Sequence, residues 1–148
     1  MKAIVQRVKN AHVTVNNNII SSIGNGIMVF LGVQEGDIEK DADFLVDKII
    51  HLRIFEDSQA KMNLSLKDVK GELLVVSQFT LLGDCRKGRR PSFTKAAAPD
   101  RANALYEYFI ARAMDLEVIT KSGKFQALME VSLINHGPVT LALDTRES

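Results

Sequence analysis

Apolar and polar positions along the chain follow two rhythms, one of period two and one of period 3.6. The first covers residues 2–8, 12–15 and 19–23, where apolar residues alternate with polar ones as in half-buried strands. The polar turn Asn16-Asn17-Asn18 separates the last two, since Asn tolerates the left-handed backbone of tight turns. Residues 27–33 and 72–78 are apolar with little interruption and predict buried strands; Gly24-Asn25-Gly26 is a turn before the first of them. Shorter strands are expected at 53–55, 117–120, 128–134 and 139–143. The helical rhythm covers two segments. Ile38, Ala42, Leu45, Val46, Ile49 and Ile50 share one face of a helix over 38–51, with Asp37 as its N-cap. Ala102, Leu105, Tyr106, Phe109, Ile110 and Ala113 do so over 100–116, where Pro99 suits the start and Asp100, rather than Ala98, supplies the cap. About eight strands grouped around two helices predict an α+β chain: two main helices packed on a mostly antiparallel sheet or partial β-barrel.

Composition narrows the class. A chain of 148 residues that is 46% hydrophobic fits one domain with an ample core. No apolar run approaches the roughly 20 residues of a membrane helix. The opening Met1-Lys2-Ala3-Ile4-Val5-Gln6-Arg7 becomes charged again too soon for a signal peptide, which points to a cytoplasmic protein. Cys85 is the only cysteine, so no disulfide closes within the chain. Net charge is only +1, yet Arg86, Lys87, Arg89, Arg90 and Lys95 fall within ten residues. Such a cluster can hold a few phosphates without making the whole surface basic.

The chemistry-bearing candidates lie at strand ends. Ser77-Gln78-Phe79-Thr80 follows the run Leu73-Leu74-Val75-Val76, and Asn135-His136-Gly137-Pro138-Val139-Thr140 lies between two strands. Either stretch alone also reads as an ordinary strand end or turn. No nucleophile elbow, zinc-binding His pair, Cys-x-x-Cys or phosphate-cradling glycine loop is present. His12, His51 and His136 are not spaced as metal ligands, and Cys85 has no partnered histidine. The expected metal and cofactor content is therefore none.

Together these stretches resemble the D-aminoacyl-tRNA deacylases. Ser77-Gln78-Phe79-Thr80 matches the family's signature in full, and Asn135-x-Gly137-Pro138-Val139-Thr140 matches its second pattern. The segment Asp84 to Phe93, with Arg90-Pro91-Ser92-Phe93, is very similar to the family's, and Gln6-Arg7-Val8 follows its opening. The resemblance runs to about Leu143 and leaves residues 144–148 as a tail.

The resemblance implies a deacylase-like fold and a hydrolase that cleaves the ester between a D-amino acid and the 3′ end of tRNA, a proofreading step in translation. It implies a homodimer in which Gly137 and a cis Pro138 from the partner subunit line the site and exclude L side chains, with Arg7 orienting that loop. Ser77, Gln78, Phe79 and Thr80 would position the ester, and Phe125 and Met129 would surround the terminal adenosine. Arg86, Lys87, Arg89 and Arg90 would meet tRNA phosphates. With no side-chain base in view, the ribose 2′-hydroxyl is expected to activate water; a nucleophilic Thr80 is the competing scheme. A filter that works by exclusion has nothing to exclude in glycine, so glycine mischarged on tRNA(Ala) is an expected substrate. Two alternatives stay open: a relative with a trans Gly-Pro and a relaxed pocket that clears L-alanyl-tRNA, and a noncatalytic module that binds RNA ends.

Overall fold

The computed structural model describes residues 1–147. Strand β1 (Lys2–Val15) is the spine of the sheet. Along one edge it pairs antiparallel first with β3 (Gly26–Gly32) and then with β2 (Asn18–Ile23). Along the other edge it pairs with β8 (Glu130–Asp144). The two strands expected at 2–8 and 12–15 are therefore one. Lys9 and Asn10, both exposed, mark the step where the register to β8 shifts between Val8 and Ala11, so the alternation breaks while the strand continues.

Beyond β3 the sheet turns parallel. β6 (Glu72–Ser77) pairs with β3, and β7 (Thr120–Ser122) pairs with β6, both in parallel. Each crossover carries a helix: α1 (Glu39–His51) between β3 and β6, and α2 (Pro99–Asp115) between β6 and β7. The α+β class stands and most pairings are antiparallel as expected; the two parallel ones arise because those helical crossovers return the chain in the same direction. The Nζ of Lys121 on β7 donates to the carbonyl of Ser22 on β2 at 2.6 Å, which draws the two ends of the sheet together into a near-barrel. A separate hairpin, β4 (Phe55–Glu56) with β5 (Met62–Leu64), precedes β6.

Alternation sorts the core into two. Ala3, Val5, Ile27, Val29, Leu31, Leu73 and Val75 pack against the helix residues Leu45, Ile49, Leu105 and Phe109. Their neighbours Val8, Met28, Leu74 and Val76 point the other way and close on Val13, Ile23 and Met129. β3 and β6 are apolar on both faces because both faces are covered.

The ends of the helices differ from expectation. Ile38, not Asp37, is the N-cap of α1, and the carboxylate of Asp41 accepts its N–H at 2.9 Å. Asp37 turns inward instead. It accepts the Gln34 N–H at 2.6 Å and pairs with the buried Met1 ammonium at 2.9 Å and with Arg146 at 3.2 Å. Ala98 precedes α2 without a side-chain bond, and Asp100 lies inside the first turn, where it faces the helix dipole rather than capping. The strand expected at 117–120 begins only at Thr120, because Glu117 at φ +64° ends α2: its N–H donates to Met114, and that of Val118 to Ala113. The residues expected as a tail are tied in: Asp144 ends β8, Thr145 accepts from the Met1 ammonium, and Arg146 reaches Asp37. Ser148 lies outside the described residues.

Asp37→Asn strips the charge that neutralises a fully buried ammonium. It is expected to lower the unfolding free energy by about 3–5 kcal/mol. A urea midpoint that drops at constant slope is the check.

Candidate active site

β6 ends at Ser77, and the chain turns at once into a single 3-10 turn, Phe79–Leu82. The Gln78 N–H donates to the Leu31 carbonyl at 2.8 Å, which fixes the turn to the end of β3. In a 3-10 turn the first N–H groups have no partner within the turn. Here Leu81 already donates to Gln78, while among the described residues the N–H groups of Phe79 and Thr80 make no backbone hydrogen bond. The Gln78 side-chain amide donates to Thr80 Oγ1 at 2.9 Å, so that hydroxyl oxygen receives a proton donor and has no base beside it. Phe79 is 56% exposed and meets Phe93 edge to face, with ring centroids 5.0 Å apart.

The opposite wall comes from the segment after β7. Phe125, Gln126, Ala127, Leu128 and Met129 face Ser77–Thr80 across a cavity of about 610 Å³, a size suited to a nucleoside-sized ligand. The Lys124 N–H donates to Met129 Sδ at 3.4 Å, which holds the segment in a tight loop. Phe30, Val76 and Val131 from the sheet and Val33 just after β3, with Pro99 and Ala102 of α2, form much of the remaining lining. The polar side chains on the lining are those of Ser77, Gln78, Thr80 and Gln126; none of the lining residues is ionisable. Among the described residues no group of His, Cys, Asp and Glu gathers to hold a metal.

Gly137 and Pro138 lie elsewhere, in an outward bulge of β8. Gln6 pairs with Thr140 and Val8 with Asn135, so β8 carries residues 136–139 where β1 has only Arg7. The Gly137-Pro138 peptide is cis. Asn135 closes the base of the bulge: its Oδ1 accepts the Val139 N–H at 2.7 Å, and its Nδ2 donates to Thr140 Oγ1 at 2.9 Å. Arg7 supports it from below. The alternation that buries Ala3 and Val5 carries Arg7 inward too, where it is only 4% exposed. Its Nε donates to the His136 carbonyl at 2.8 Å and its Nη1 to the Ile54 carbonyl at 2.6 Å. The bulge is exposed at His136, Gly137 and Pro138, and none of the three lines the cavity of its own chain.

The basic segment forms a small hairpin over residues 84–92, closed by a backbone pair between Asp84 and Ser92. Arg86 is already engaged: its Nε and Nη2 donate to the Asp84 carboxylate at 2.9 and 2.5 Å. Those bonds hold the Asp84 carboxyl well below the usual carboxylate range. Lys87, Arg89 and Arg90 remain exposed, as does Cys85. The contact of Phe93 with Phe79 seats this hairpin beside the cavity.

The structure thus gathers Ser77, Gln78, Phe79 and Thr80 with Phe125 and Met129 around one cavity. It sets Arg7, Gly137 and Pro138 apart as a second constellation. Sequence reasoning gave no role to two supports. Asn135 carries a weak signal, since Asn commonly braces a turn with its side chain. The Ile54 carbonyl carries none, because a main-chain acceptor is the same in every residue.

Fold and site together define the class of protein: an α+β domain with an uncharged cavity at the C-terminal end of β6. The chain belongs to the D-Tyr-tRNA(Tyr) deacylase family, whose model matches residues 4–144, and so to the hydrolases. A D-aminoacyl-tRNA deacylase of Syntrophus aciditrophicus (strain SB) is 60% identical over 146 residues, covering 99% of this chain and 98% of that protein. Among solved structures, one titled c-Myc DNA Unwinding Element Binding Protein superposes with a TM-score of 0.92 at 42% identity, over 98% of this chain and 99% of the other. A probable eukaryotic D-amino acid tRNA deacylase shares the fold at 21% identity, with a TM-score of 0.80 over 96% of this chain and 97% of that one.

Proposed function

We propose that this protein hydrolyses the ester of D-aminoacyl-tRNA, releasing the free D-amino acid and tRNA. The observation that carries the mechanism is the cavity that joins Ser77–Thr80 to Phe125–Met129 without one ionisable side chain. An aminoacyl ester on a ribose diol is already activated, so placement and oxyanion stabilisation suffice. The terminal adenosine sits against Phe125 and Met129, with the base on the aromatic ring. The ester carbonyl points to the free N–H groups of Phe79 and Thr80. The oxygen of the neighbouring ribose 2′-hydroxyl accepts a proton from water as the hydroxyl's own proton passes toward O3′, and the water oxygen adds to the carbonyl carbon. The bond to O3′ then breaks, and the proton ends on O3′. Thr80 acts as a positioning donor, because the Gln78 amide occupies its oxygen and nothing nearby would accept its proton.

Chirality is read by Gly137 and Pro138 of a second copy, in a homodimer. Their bulge is solvent-exposed, braced by Asn135 and Arg7, and absent from the cavity of its own chain, all of which suits delivery to a neighbour. Rigid main-chain groups there occupy the space of an L side chain. Lys87, Arg89 and Arg90 on the adjoining hairpin meet acceptor-end phosphates, and Arg86 joins them only by sharing or leaving Asp84.

Two comparisons test this reading. Glycyl-tRNA is expected to be hydrolysed and L-alanyl-tRNA to resist; equal resistance of both sinks steric exclusion, and rapid loss of L-alanine points to the relaxed-pocket relative. A D-aminoacyl-tRNA ending in 2′-deoxyadenosine is expected to react at least about a hundredfold more slowly, the lower end of one general base's contribution. Equal rates would place the base on the protein. Binding of tRNA without release of amino acid would identify an RNA-end-binding module.

A further inference from the structure

Tyr106 of α2 stands behind the cavity without lining it, only 4% exposed. Its hydroxyl donates to the Val75 carbonyl at 2.9 Å. The same carbonyl accepts the Gly123 N–H at 3.0 Å. Val75 lies two residues before Ser77, on the strand that delivers the Ser77–Thr80 wall. Gly123 follows Ser122, the end of β7, and opens the loop that bears the Phe125–Met129 wall. One oxygen thus joins a helix and both walls. The Tyr106 ring continues the link, lying 6.0 Å from the Phe125 ring at a tilt of 35°. Burial pushes the hydroxyl up to about 12, so it stays a proton donor at neutral pH.

We infer that Tyr106 is a positioning residue that sets the spacing between the seat of the terminal nucleoside and the groups facing the ester. The inference rests on the proposed function, because it assigns the two walls to two parts of one substrate. The walls also meet directly, through the parallel pairing of β6 with β7, the Gly123–Val75 bond and the packing of Met129 against the cluster that holds Val76, and Tyr106 fastens α2 to that junction. The loop's own bonds, Lys124 to Met129 Sδ and Ala127 to the Lys124 carbonyl, shape it without tying it to β6. Reaction in such a cavity depends on alignment, and a misplacement of about 1 Å can cost as much as a hundredfold in rate. Tyr106 tunes that alignment from outside the reacting atoms.

Tyr106→Phe is a clean probe. It keeps the ring against Phe125, and the Val75 carbonyl keeps its bond from Gly123, so no buried acceptor is orphaned. With D-tyrosyl-tRNA, kcat is expected to fall about tenfold while KM changes by no more than about twofold, as for an interaction expressed in the transition state. The second arm is a double-mutant cycle with Phe125→Leu. If Tyr106 acts through the loop, Tyr106→Phe costs far less once Phe125 is replaced. A merely structural role would lower Tm in both backgrounds and leave the two rate effects multiplicative. Unchanged kcat in Tyr106→Phe, or a cycle without coupling, overturns the inference while the deacylase reading survives. A wild-type protein inactive on the D-ester brings down that reading, and the inference with it.

Discussion

Gly137→Ala is expected to leave a folded protein that hydrolyses D-aminoacyl-tRNA about a hundredfold more slowly, the order of loss that a misplaced site element produces. Gly137 has φ +142°, a conformation that L side chains rarely adopt. A methyl group there would lie 2.8 Å from Val139 Cγ2, 3.0 Å from the Val139 nitrogen and 3.0 Å from Arg7 Nη2. Arg7 is buried and bonded to two carbonyls, and the Val139 nitrogen is held by Asn135, so neither yields freely. The bulge itself must move. Because residues 136–139 have no partner on β1, it moves without unzipping the sheet. The loss should therefore appear in deacylation, with the urea midpoint lowered by the strain at this φ but the protein still folded in the absence of urea. A variant with wild-type rate and stereoselectivity would show that the bulge plays no part in the reaction.

Arg7→Ala is expected to damage stability and activity together. Arg7 links the bulge to the segment before β4, through the His136 and Ile54 carbonyls. Hydrogen bonds to a charged donor contribute about 1.5–3 kcal/mol each, so removing the guanidinium and both its bonds should lower the unfolding free energy by about 3–6 kcal/mol. Activity should fall about a hundredfold under conditions where the variant is still folded, since the bulge loses its lower support. Arg7→Lys should recover part of the stability and little of the activity. An ammonium lacks the planar fork that serves two carbonyls at once. Urea unfolding and single-turnover deacylation, run side by side, separate the two effects. Full activity in folded Arg7→Ala would leave Arg7 as a core brace only.

Both predictions concern residues that were visible before the fold was. Gly137 and Arg7 sit in stretches that resemble a known family. The apolar runs of β3 and β6 and the helical stripes of α1 and α2 were equally legible, because burial on a fixed period is a local property. Ser77–Thr80 was legible as a strand end. What stayed hidden depends on partners distant in sequence. Asp37 has the composition of a cap, yet the Met1 ammonium and Arg146 claim it. The continuity of β1 past Lys9 and Asn10 depends on the register of β8. The parallel pairing of β3, β6 and β7 depends on where the helical crossovers land. Tyr106 looked like one more apolar position on α2, because the bond from its hydroxyl crosses 31 residues to Val75.

The most direct test is the release of tyrosine from matched D-tyrosyl- and L-tyrosyl-tRNA, with Pro138→Ala alongside the wild type. The account expects rapid release from the D-ester alone, with selectivity or activity lost in the variant. Release from both esters by the wild type, or from neither while tRNA stays bound, would contradict it.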